Sequence, residues 1–148
     1  MNPATMTGLE LLRASAEGLL PRAAISDTMG FLSLHVEEGH VRITAKADGR
    51  HTNPLGSVHG GFAATILDSA TGCAVHTCLP AGVGYGTVDL NVKMLRPVPQ
   101  GAEVVAEATV THISRSLGVA EGTLRDEEGR LLASASATCF IKRPKSDV

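Results

Sequence analysis

The sequence predicts an α+β fold: an antiparallel β-sheet wrapped around one long central helix. Three observations carry this. Most of the chain alternates apolar and polar residues at the period of a half-buried strand. One stretch, His59 to Leu79, has helical spacing instead and contains a single formally charged residue, Asp68. The connections are short and built from turn-forming residues, which joins neighbouring strands antiparallel. One apolar helix among many strands must bury its surface against their sheet.

The elements follow in order. Residues 8 to 20 carry Leu11, Leu12, Ala16 and Leu19 at helical spacing, and Pro21 ends the pattern. In the next run, Gly30–Glu37, Leu32, Leu34 and Val36 alternate against Ser33 and His35. After a Glu38-Gly39 turn, Val41, Ile43, Ala45 and Ala47 alternate against Arg42, Thr44 and Lys46, which completes a hairpin. Residues 48 to 58 are a loop of turn-formers, and the long helix follows. Beyond Gly82, Gly84 and Gly86, Val88, Leu90, Val92 and Met94 alternate against Thr87, Asp89, Asn91 and Lys93, until Pro97 and Pro99 stop the strand. Residues 102 to 113 and 117 to 125 are two more strands, and 131 to 142 is the last, after the turn Glu127–Arg130. No repeat or linker divides the 148 residues, so they read as a single domain. It comprises a helical extension (1–29), a core (30–142) and a tail (143–148).

Composition narrows the function. Hydrophobic residues make up 43% and charged residues 19%, enough for a core; with no Trp, one Tyr and three Phe, that core is aliphatic. The net charge of −2 and the lack of a basic run give no electrostatic footprint for nucleic acid. Asp68, His76 and several hydroxyls interrupt residues 60 to 81, against a membrane span. No signal peptide is evident, so a cytoplasmic protein is expected. Cys73, Cys78 and Cys139 are odd in number and read as reduced structural cysteines. Neither they nor the histidines have zinc-site spacing, and no metal or separate cofactor is expected. His35, His40 and His112 read as strand or turn residues; His51 and His76 are candidates for contact with a site or interface.

The helix carries the chemistry. Phe62, Ile66, Ala70, Cys73 and Thr77 share one face. The opposite stripe, Gly61, Ala64, Thr65, Asp68, Gly72 and Val75, is small and weakly apolar, which leaves space beside Asp68. A solvated face would carry Lys, Arg or Glu, and this one does not. A lone carboxylate in such a cleft is a candidate acid, base or nucleophile. The helix opens on Val58-His59-Gly60-Gly61. Glycines at a helix N-terminus let a ligand approach backbone N–H groups that lack intrahelical partners. Such N–H groups suit an oxygen that becomes negative during reaction.

Together His51, Asn53, Gly56, His59, Gly60, Gly61 and Asp68, in the run HTNPLGSVHGGFAATILD, resemble the hotdog-fold thioesterases. The resemblance is to their phenylacetate-pathway and 4-hydroxybenzoyl-CoA branch and extends from about Gly30 to Lys142. It implies hydrolysis of acyl-CoA thioesters, with coenzyme A entering as part of the substrate. Gly60 would offer its N–H to the thioester carbonyl. His59 would hold that loop, and Asn53 would orient water or thioester. Asp68 would act as general base or as nucleophile, the shorter aspartate favouring the base. Thr87 matches an assisting hydroxyl. Gly61, Lys93, Arg96, Ser114, Arg115 and Ser116 lie where such enzymes receive substrate and the CoA arm; for the last five a surface charge or turn residue is an equal alternative. The resemblance also implies a homodimer or homotetramer with active sites shared between subunits. Some aryl-CoA members carry glutamate and a hydroxyl one turn later; here the positions hold Asp68 and Gly72, nearer the aspartate-bearing branch. The acyl group, aryl or medium-chain, would lie along the small stripe, Phe62 or Leu67 and the N-terminal segment. The alternatives are an acyl-CoA hydratase of the same fold, pairing Asp68 with His59, and a non-catalytic acyl-CoA binding module.

Overall fold

The computed structural model describes residues 1 to 145, so the last three residues of the 143–148 tail lie outside the described part. Three helices, α1 (Gly8–Ala16), α2 (Ala24–Thr28) and α3 (Gly60–His76), accompany six strands: β1 (Phe31–Glu37), β2 (His40–Lys46), β3 (Gly84–Met94), β4 (Glu103–Ile113), β5 (Leu117–Arg125) and β6 (Leu131–Lys142). Every strand pairing is antiparallel, in the order β1-β2-β4-β5-β6-β3, which leaves β1 and β3 as edges.

The sheet covers α3 as the sequence predicts. Phe62, Ile66, Leu67, Ala70, Ala74 and Val75 are buried against the inward residues of the strands, among them Val41, Val104, Ala120 and Leu124. Small strand residues let helix and sheet approach closely. A Cβ added at Gly118 would lie 2.6 Å from Val75 Cγ1, so that glycine is a packing requirement.

The N-terminal segment differs from expectation in several ways. Helix α1 stops at Ala16, before Leu19, and it packs through Leu9 and Leu12, with Ala14 buried. Ala16 and Leu19 are exposed. Thr7 and Glu10 form a reciprocal capping box that starts the helix. The Gly8 N–H donates to the Leu79 carbonyl at 3.0 Å, and a Cβ at Gly8 would overlap the His76 carbonyl, so α1 is docked on the end of α3. Helix α2 was not expected: it has five residues and no side-chain cap.

Two bulges change which residues face inward. In β1 the register with β2 shifts between Phe31 and Ser33, so Phe31 and Val36 are buried and Leu32 is exposed rather than inward. In β3 the register with β6 shifts between Thr87 and Asp89, and Val88, also expected inward, is 66% exposed. Thr87 pairs with the buried Cys139, whereas Asp89 pairs with Thr138 and Asn91 with Ser136. Adjacent residues of β6 point to opposite faces. Thr87 therefore faces α3, while Asp89 and Asn91 lie on the outer face and do not share its side.

Candidate active site

Asp68 sits half-buried in the middle of α3, and the Thr87 hydroxyl donates to its Oδ1 at 2.8 Å. The β3 bulge makes this contact possible, because unbroken alternation with Leu90 and Val92 would turn Thr87 outward. The Cys139 thiol lies 3.9 Å from the Thr87 hydroxyl. Burial pushes the Cys73 thiol up to about 11, and Asp68 adds to the rise. Burial also raises the Cys139 thiol and the Tyr85 phenol. The two thiols and the phenol beside Asp68 therefore stay protonated at neutral pH.

The stripe around Asp68 is open only in part. Gly61, Ala64, Thr65 and Asp68 are half-buried, but Gly72 and Val75 are closed off. A Cβ at Gly72 would meet the Tyr85 ring at 2.8 Å. The stripe itself is therefore open on the N-terminal half of the helix and closed one turn beyond Asp68.

The helix entrance is held by two histidines. His59 is its N-cap, and its Nδ1 accepts the Gly61 N–H at 2.7 Å. This fixes the remaining proton of a neutral imidazole on the exposed Nε2. The Gly61 N–H is thereby occupied, while the Gly60 N–H has no hydrogen-bond partner among the described residues. His51 is buried beneath this loop. Its Nδ1 accepts from the Asp48 N–H at 3.0 Å, its Nε2 donates to the Thr28 carbonyl at 2.8 Å, and its own carbonyl accepts the His59 N–H at 2.7 Å. His51 supports the loop that leads into α3 from beneath. His76 packs against Tyr85 with ring centroids 5.2 Å apart and planes tilted by 48°, at the far end of α3 from the helix entrance.

Asn53 begins a tight turn. Its Oδ1 accepts from the N–H groups of Leu55 and Ser57 at 2.9 and 3.2 Å. What it can offer a ligand is its amide N–H, as a donor. Gly56 closes the turn at φ +85°, a conformation only glycine takes without strain.

The other candidates do not cluster in one chain. Arg96 lies with Gly60, Met94 and Leu132 around a groove at the helix entrance. Lys93 lies on the outer face of the sheet with Glu107 and Glu121. Ser114, Arg115 and Ser116 form the exposed β4–β5 connection near the opposite end of α3, where the Arg143 guanidinium donates to the Arg115 carbonyl. Among the described residues no group of His, Cys, Asp and Glu is arranged to hold a metal ion. No helix there is long and apolar enough to cross a membrane. Sequence reasoning placed the N-terminal segment beside the helix but missed Ser69, next to Asp68 on α3, and Tyr85, whose ring on β3 closes off Gly72; the only signal for Ser69 was its place on a helix whose neighbours were unknown.

The family model described as thioesterase superfamily matches residues 55–133. Human acyl-coenzyme A thioesterase 13 is 30% identical over 101 residues, which is 68% of this chain and 71% of that protein. A phenylacetic acid degradation-related protein of Ralstonia eutropha superposes with a TM-score of 0.79 at 28% identity, over 87% of this chain and 98% of that one. An asparagine-to-aspartate variant of the phenylacetic acid degradation protein PaaI from Thermus thermophilus gives a TM-score of 0.73 at 26% identity, over 82% of this chain and all of that one.

Proposed function

Since the chain belongs to the thioesterase superfamily, as a hotdog thioesterase of the phenylacetic-acid-degradation type, we propose that it hydrolyses acyl-CoA thioesters with Asp68 as general base. The observation that carries the role of Asp68 is the bond from Thr87. It occupies Oδ1 and leaves Oδ2 to accept a proton from water. The water oxygen then bonds to the thioester carbonyl carbon, and the carbonyl oxygen gains negative charge. The Gly60 N–H, at the positive end of the α3 dipole, receives that oxygen. On collapse the carbon–sulfur bond breaks, and the departing thiolate recovers the proton from Asp68. The products are a free acid and CoA thiol. Asn53 donates to the water or the thioester, and His59 holds the N-terminal turn in place.

One chain does not suffice for this arrangement. Gly60 and Asp68 are eight residues apart on α3, so at ~1.5 Å per residue they are roughly 12 Å apart and cannot flank one carbonyl. Edge strand β3 offers the remedy. Its Met94 end lies at Gly60, and its Thr87 end lies at Asp68. Two-fold antiparallel pairing of β3 with a second copy sets each Thr87–Asp68 end against the other chain's Gly60 end. An 11-residue edge strand, without proline, is otherwise an unprotected template for pairing. A homodimer with two shared sites, alone or as half of a tetramer, follows from this reading.

Thiol release from a panel of acyl-CoAs, for wild type and Asp68→Asn side by side, tests the proposal. The variant should turn over about a hundredfold more slowly or worse. Comparable rates would remove Asp68 from the mechanism. A variant active as a strict monomer would contradict the shared site.

A further inference from the structure

Tyr85 stands two residues before Thr87 and on the same, α3-facing side of β3. Its side chain reaches over Gly72, one helical turn beyond Asp68. A Cβ added at Gly72 would lie 2.8 Å from the ring and 3.1 Å from the hydroxyl oxygen, so the bare glycine is what admits the phenol. Residues four apart on a helix share a face, with Cβ positions about 5 to 6 Å apart. That places the hydroxyl about one water molecule from the Asp68 carboxylate, since a water bonded at about 2.8 Å on each side bridges oxygens up to roughly 5.5 Å apart. Asp68 acts on the phenol across this gap: burial first, then Cys73, Cys139 and Asp68, hold the phenol protonated at neutral pH. The Cys73 sulfur is the one side-chain group placed to take its hydrogen, and sulfur is a weak acceptor. The hydroxyl oxygen is left under-bonded, and no unpartnered polar side-chain atom among the described residues is fully sealed, so it stays open to water. Cys73 and Ser69 also line a half-open cavity of about 310 Å³ between the N-terminal segment, the β1–β2 hairpin and α3, which brings solvent to this corner.

We propose that Tyr85 is a further catalytic residue, whose hydroxyl oxygen holds the attacking water together with Asp68. The role rests on Asp68 acting as general base. Water has two hydrogens, and the carboxylate takes one of them. With its own hydrogen turned to the Cys73 sulfur, the Tyr85 hydroxyl presents its lone pairs, which accept the second. A water held by both hydrogens directs its own lone pair at the thioester carbon and has little orientation left to lose in the reaction. As the oxygen–carbon bond forms, the oxygen–hydrogen bond toward Asp68 breaks and that proton passes to Oδ2. The hydrogen held by Tyr85 stays on the oxygen and leaves as the hydroxyl of the free acid. Thr87 on Oδ1, water on Oδ2 and Tyr85 on the water thus form one chain between β3 and α3.

Tyr85→Phe keeps the ring on Gly72 and on His76 and removes only the hydroxyl. The test is steady-state thiol release from the acyl-CoA that wild type cleaves fastest, with thermal melting alongside, for wild type, Tyr85→Phe, Cys73→Ala and the double variant. In Tyr85→Phe, kcat should fall about threefold to tenfold, as expected for the loss of one hydrogen bond, while KM and the melting temperature stay unchanged. Cys73→Ala frees the phenol hydrogen to turn toward the water. It should lower kcat with Tyr85 in place and change nothing further in the Tyr85→Phe background. An unchanged kcat in Tyr85→Phe would overturn the proposal. A loss that comes with a raised KM or a lowered melting temperature would assign the phenol to packing and overturn it as well. Equal effects of Cys73→Ala in the two backgrounds would remove the directed lone pair and the proposal with it. Full activity in Asp68→Asn, or no thioester cleavage by wild type, would instead overturn the reading beneath it.

Discussion

The Thr87 hydroxyl donates to Asp68 Oδ1 at 2.8 Å across the gap between β3 and α3, and a single extra residue in β3 puts it there. Val88 is the residue given up to solvent, at 66% exposure. An apolar residue expelled from a strand's inner face is a packing loss, and the gain is a hydroxyl aimed at the lone carboxylate of the helix. Hydrogen bonds to a charged group contribute about 1.5 to 3 kcal/mol. Thr87→Ala should therefore lower kcat by roughly tenfold to a hundredfold, as Asp68 loses the donor that orients it. Thr87→Ser keeps the hydroxyl and should keep most of the rate. Equal losses in the two variants, in steady-state kinetics, would assign Thr87 to packing.

The same bulge shows what the sequence could and could not say. Alternation from Thr87 to Met94 reveals a strand, but nothing in that alternation marks the residue where the pairing slips, so Val88 reads as inward and Thr87 as outward. The bulge at Phe31 hid the exposure of Leu32 in the same way. Asp68 was legible because an isolated charge on an otherwise apolar helix is costly and stands out. The His59-Gly60-Gly61 entrance was legible as a motif, although the capture of the Gly61 N–H by His59 depends on a rotamer that spacing does not encode. The cavity beside Ser69 was only hinted at in the N-terminal segment, because its walls come from α1, α2 and β1. Their meeting is a tertiary event, and α2 has too few residues to show a period.

Gly60 separates close approach from simple helix initiation. A Cβ there would lie 2.7 Å from Met94 Sδ, the end of a flexible and exposed side chain that can move aside. Gly60→Ala should consequently fold with a stability change of at most about 1 kcal/mol, since alanine also favours the helix. The added methyl stands between substrate and backbone N–H, and a misplacement of an ångström can cost up to about a hundredfold. We expect kcat/KM to fall at least about tenfold while the melting temperature barely moves. Met94→Ala combined with Gly60→Ala relieves the methionine contact, and activity should stay low. Recovery of activity in the double variant would assign the loss to Met94 instead.

His76 gives the fold a pH dependence of predictable sign. Burial against Tyr85 lowers its pKa from the ordinary 6.5, so the folded protein holds the ring neutral where the unfolded chain already binds a proton. Stability that depends on the neutral ring is present above pH 6.5. It is lost as pH falls from 6.5 through the lower folded value, and the slope ends below it. The melting temperature should therefore fall between pH 7.5 and 5.5 by less in His76→Gln than in wild type. Helix α1 should feel the same change, because Gly8 is packed on the His76 carbonyl and bonded to Leu79. Amide exchange in residues 8 to 16 should accelerate at pH 5.5 more than exchange in the central strand β4. Equal pH slopes in the two proteins would show that other groups carry the acid sensitivity, and uniform acceleration of exchange would place the loss in global unfolding and not at this docking point.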